Sequence, residues 1–77
     1  MTLNEIKPGD RFMLLQVKAS GEVGKRLADM EFVKGVNGSV LRIAHVGDPI
    51  EVLIMDYHVS IRKSEASEIE VERIVKP

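Results

Sequence analysis

A chain of 77 residues with 44% hydrophobic and 30% charged side chains has the make-up of one small globular domain, expected to span residues 1–77. It has no cysteine, which excludes a disulfide framework, a thiolate zinc site and a cysteine nucleophile together. A net charge of −1 and only 4% aromatic residues argue against the basic, ring-lined groove of a nucleic-acid-binding barrel.

A domain of this size buries only about 60% of the surface its unfolded chain exposes, so an apolar core without staples must hold the fold. No run approaches the roughly 18 apolar residues of a membrane span, and no basic-then-apolar leader opens the sequence. The expectation is a cytoplasmic protein without direct membrane insertion. Charge is uneven: seven basic face five acidic side chains up to residue 44, and four face seven beyond it. Such a split gives a dipole suited to docking, or simply a solvated surface.

Leu3 and Ile6 form an apolar entry, and Pro8-Gly9-Asp10 reads as a turn. Arg11 to Lys18 is short and nearly continuously apolar, which predicts a strand buried from both sides or bent at a barrel corner. After Ala19-Ser20-Gly21, the spacing of Val23, Leu27 and Met30 predicts one face of a short helix, with Lys25, Arg26 and Asp29 on the other side. Val33-Lys34-Gly35 is a reversal, and Asn37-Gly38 is a second place for positive φ.

The second half reads as β-rich. Val40 to Ala44 is strand-like, with Leu41 and Ile43 expected on one face. Ile50, Val52 and Ile54 alternate with Glu51, Leu53 and Met55, and Tyr57, Val59 and Ile61 with His58, Ser60 and Arg62. Asp56 between them predicts a tight hairpin. Ser64 is placed to cap one helical turn through about Glu68. Ile69 and Val71 begin a last strand, whose phase is lost at Arg73, predicting a bulge or the end of the sheet there. About five strands and two short helices predict a mainly β fold, a small SH3-like barrel.

Several elements together resemble the FeoA family of small cytoplasmic components of bacterial ferrous iron uptake. They are Pro8-Gly9, Arg26-Leu27 with Met30, Gly35, Arg42-Ile43-Ala44, Gly47-Asp48-Pro49-Ile50-Glu51-Val52, Ile61-Arg62-Lys63, Ala66 and Ile69-Glu70-Val71-Glu72. Their order and spacing carry the likeness from about Leu3 to Ile74. Glu31 stands where the family generally has Gly at the helix exit, implying a strained cap or a different exit. Lys34 and His45 stand where Pro is frequent. The resemblance implies an SH3-like barrel that acts with FeoB, a membrane ferrous iron transporter with a cytosolic GTP-binding domain. A similar domain closes iron-dependent repressors; this sequence has no room for their winged-helix domain.

Candidate sites follow. Val23, Lys25, Arg26, Leu27, Met30 and Phe32, with Val33, form an apolar helix face with a basic rim that suits a protein partner. His45, Asp48 and His58, with Glu51 and Asp56 nearby, are the side chains whose chemistry suits ferrous iron or another divalent metal, though their spacing is not that of a ligand motif. Gly47-Asp48-Pro49 reads mainly as a turn, with no Gly-rich Lys-Ser/Thr loop to cradle phosphate. Arg62 is expected to brace the barrel against Glu70, Glu72 or Glu51. The serines 20, 39, 60, 64 and 67 show no His-acid pairing by spacing, which argues against an enzyme.

The reading is an accessory protein that docks on FeoB and needs no cofactor, with weak metal binding and a homo-oligomer formed through an exposed barrel edge left open. The alternative is an iron-responsive regulatory module related to the repressor barrel, binding metal or a peptide.

Overall fold

The computed structural model describes residues 1–75. Five antiparallel strands, β1 (Arg11–Val17), β2 (Asn37–Ile43), β3 (Ile50–Ile54), β4 (Tyr57–Ile61) and β5 (Ile69–Ile74), lie in the order β4-β3-β2-β1-β5. Helix α1 (Gly21–Asp29) joins β1 to β2, and α2 (Lys63–Ala66) joins β4 to β5. The five strands and two short helices expected from the pattern are all present, in the arrangement of a small SH3-like barrel. Among the described residues, no helix is long and apolar enough to cross a membrane.

The inward residues follow from strand periodicity, corrected by two irregularities. Phe12 and Leu14 of β1 are buried, and the register then shifts between Leu14 and Gln16. The extra residue resets the phase, so Val17 rather than Gln16 turns to the core opposite Ile69. A second shift between Val40 and Arg42 does the same in β2, carrying Val40 and Ile43 inward opposite Val52 and Ile50. Leu41 is the extra residue and is exposed, which corrects the expectation that it shares a face with Ile43.

The positive φ expected at Asn37-Gly38 is also corrected, since both residues belong to β2 and neither takes it. Gly38 is required there for lack of space. A Cβ would lie 2.7 Å from Ile54 Cδ1 and from the Leu53 carbonyl oxygen, and 2.8 Å from Phe12 Cζ. No bulge forms at Arg73. β5 continues to Ile74, and the Arg73 guanidinium lies 3.8 Å from the Asp10 carboxylate at the sheet's end.

Two tight connections rest on positive φ without glycine. Met55 (φ 54°) and Asp56 (φ 107°) form the two-residue hairpin loop between β3 and β4, the arrangement whose twist matches paired strands. At the end of α1, Glu31 takes φ 68°. The Phe32 N–H donates to the Leu27 carbonyl (3.0 Å) and the Glu31 N–H to that of Ala28 (3.0 Å). These are the paired bonds of a Schellman cap, closed by burial of both Phe32 and Leu27. Glu31 thus occupies the strained cap that glycine would relieve.

α2 is capped differently from the expectation for Ser64. Its N-cap is Arg62, whose N–H donates to Glu65 Oε1 (3.1 Å). The Lys63 N–H donates to Asp48 Oδ1 (3.1 Å), tying the loop before β3 to the start of α2.

Two stability changes follow. Glu31→Gly removes the left-handed penalty of a side chain and is expected to stabilise the fold by about 1 kcal/mol, a rise in melting temperature of about 4–8 °C for a domain of this size. Gly38→Ala forces Phe12 and Ile54 apart and is expected to destabilise by about 1–3 kcal/mol. Denaturant unfolding of both variants against the parent chain measures each.

Candidate functional site

The face proposed for a partner divides once it is folded. Leu27 is fully buried and Phe32 is 2% exposed, so both are core residues and neither can meet a partner. The 3.6-residue spacing that marks Leu27 is the spacing of the buried stripe itself, and Phe32, at the helix exit, is the apolar partner that closes the cap. Met30 is half-buried against the core. Val23 (38% exposed) and Val33 (44% exposed) reach the surface, as does Lys25. Val23 lines a shallow cleft of about 220 Å³ between the first turn of α1 and α2, shared with Ala19, Ser64 and Glu68.

Arg26 is not a free rim cation. It pairs with Glu65 of α2, whose side chain is only 10% exposed. The hydrogen bond from Arg26 is the main cause holding the Glu65 carboxyl below the ordinary carboxylate range, with the Arg62 N–H adding to it against the opposing effect of burial. α1 is only nine residues long and would be marginal alone. Leu27 anchors it to the core, the Schellman cap fixes its exit, and the Arg26–Glu65 pair ties it to α2.

The residues proposed for metal are not brought together. His58 Nε2 lies 2.7 Å from Glu51 Oε1, and Arg42 Nε forms an ion pair with Glu51 Oε2 at 2.9 Å. Glu51 is therefore the centre of a brace across the outer face of β2, β3 and β4. Asp48 is engaged with the backbone of Lys63, and His45 sits exposed in the short 3-10 turn His45–Gly47. Among the described residues, no group of three or more His, Asp or Glu side chains is placed to hold one ion.

The bracing role expected of Arg62 is taken by Arg42. Glu51 is occupied as above, Glu70 lies 3.9 Å from Lys18, and Arg62 makes no ion pair among the described residues. Sequence reasoning also passed over Tyr57, which is 62% exposed. With Met30, His58 and Val59 it lines a groove of about 370 Å³ between the exit of α1 and β4, bordered by Asp29 and Glu31. An aromatic residue directly after a hairpin turn, in a chain with three aromatics, is the signal that could have marked it.

The Arg26–Glu65 pair has a pH signature. A carboxyl held below its unfolded pKa contributes stability that is fully present above the unfolded value and is lost as pH falls through the folded one. Glu65→Gln keeps the cap but not the charge. It is expected to cost about 1 kcal/mol at neutral pH and progressively less below about pH 4, read from unfolding curves across pH.

A family model described as the FeoA domain matches residues 1–73. A Porphyromonas gingivalis Fe(2+) transport protein A/Fe(2+) transporter FeoB fusion protein is 40% identical over 74 residues; the match covers 96% of this chain, which spans 9% of that relative's length. The solution structure of FeoA from Chlorobium tepidum superposes with a TM-score of 0.91 at 40% identity, covering 97% of this chain and 71% of that one. Stenotrophomonas maltophilia FeoA complexed with zinc, described as a procaryotic SH3 domain protein, superposes with a TM-score of 0.83 at 28% identity, covering 94% and 89%. With the barrel and its capped helix in place, the chain belongs to the FeoA family.

Proposed function

We propose that this chain is a small cytoplasmic accessory protein of ferrous iron uptake that acts by docking on the cytosolic part of a FeoB-type transporter. It catalyses no reaction and needs no cofactor of its own. The observation that carries this reading is the relative in which an FeoA region 40% identical to this chain is fused to FeoB. Fusion makes encounter of the two parts intramolecular, at effective concentrations of about a millimolar for a short flexible link. Where the two parts are separate chains, the same proximity has to come from a surface of the FeoA part.

The surface best suited is the outward side of α1. Val23, near the start of α1, and Val33, just past its end, are exposed apolar side chains. Lys25 is an exposed cation in no ion pair among the described residues, and the helix is fixed by its cap and its tie to α2. A rigid, modest patch of this kind fits a transient interface, which typically buries less than about 1,200 Å².

Titration of the isotope-labelled chain with the cytosolic region of its transporter tests the reading. Amide shifts are expected around Val23 to Val33, with Val23→Glu and Lys25→Glu each weakening binding by about tenfold. Absence of shifts at about millimolar partner would refute docking.

A further inference from the structure

The two edges of the sheet are not equivalent. At the β5 edge the Val71 N–H donates to the Met1 carbonyl (2.8 Å) and Thr2 bridges to Glu70, so the chain covers that edge itself. At the other edge β4 has β3 as its only strand neighbour among the described residues. β4 also lacks the devices that usually blunt an edge, having no proline, no lysine and no bulge.

Register shows which groups are left open. A two-residue hairpin closes on a hydrogen-bonded pair, here Ile54 with Tyr57, so Tyr57, Val59 and Ile61 bond to β3. The N–H and C=O of His58 and Ser60 therefore point away from the sheet, and none of the turn or loop backbone bonds uses them.

We infer that β4 pairs antiparallel with β4 of a second copy about a two-fold axis at Val59. In that register His58 faces Ser60 of the other copy, and Ser60 faces its His58. All four outward groups of each edge are satisfied, with Val59 meeting its own equivalent as the non-hydrogen-bonded pair between them. One residue of slip in either direction would set outward groups against inward ones, so the edge is complementary to itself in this register.

The flanking charges agree with it. The same register sets Asp56 opposite Arg62 of the second copy at both ends of the ladder. Both side chains are exposed, and neither makes an ion pair among the described residues. The groove lined by Tyr57 has an acidic lip, Asp29 and Glu31, which adds negative charge near the Asp56 end of the edge. A second copy is thus favoured over an unrelated extended segment, and the inference does not rest on transporter docking.

Sedimentation of the whole chain from about 10 μM to 1 mM tests it. A reversible monomer–dimer equilibrium is expected. Ser60→Pro removes an outward N–H while sparing the β3 ladder and is expected to abolish the dimer with an unchanged circular dichroism spectrum. Should that variant misfold, the charge pair still decides. Asp56→Arg is expected to weaken association at least about tenfold, and Asp56→Arg with Arg62→Asp to restore it. A chain monomeric at about 1 mM, a dimer indifferent to these changes, or His58 and Ser60 amides that respond only to a foreign extended peptide would overturn the proposal.

Discussion

The tightest constraint in this fold is the absence of a side chain at residue 38. Phe12 of β1 and Ile54 of β3 close over Gly38 of β2 from either side, each within 3 Å of where a Cβ would stand. Three neighbouring strands are thereby drawn onto one point, and the largest buried side chain sits at the centre of the core. In a chain without disulfides whose core is this small, such a contact cannot be traded for reinforcement elsewhere. The two bulges serve the same end. Each inserts one residue where β1 and β2 pass beyond this point, so that Val17 and Ile43 still turn inward as the strands bend around the core.

The sequence made much of this legible, within limits set by what a local pattern contains. Alternation located β3 and β4 because both are regular from end to end and a tight turn separates them. Leu41 was misplaced for the opposite reason: a bulge resets the phase, and the residue to be extruded is chosen by the partner strand rather than by local sequence. Asn37-Gly38 reads as a place for positive φ because glycine most often marks it; here it marks close approach, which only tertiary packing reveals. Leu27 reads as available because a core stripe and a binding stripe share one periodicity, and Phe32 because an apolar residue at a helix exit suits a partner as well as a cap. Arg62 had several acidic candidates, and the choice fell to Arg42 because register places it directly opposite Glu51.

What remains for function is set by how α1 is held. Leu27 commits one side of the helix to the core, and Arg26 ties it to α2, which leaves Val23 and Lys25 on the outward side of its first turns. The last turn runs out beside β4, where Met30 and Glu31 border the groove. A helix of about 13 Å thus presents two different surroundings, a cleft against α2 at its start and an open sheet edge at its end.

Glu31 connects these observations. A side chain at φ 68° costs about 1 kcal/mol relative to glycine. The Schellman bonds do not need the carboxylate, since they are made by the backbone, and Glu31 pairs with no cation among the described residues. Its effect is to place a negative charge on the lip of the groove beside Tyr57. In the proposed two-fold pairing of β4, Asp56 is the acid set opposite Arg62 of the second copy, and Glu31, on the lip of the groove lined by Tyr57, adds negative charge beside that end of the edge.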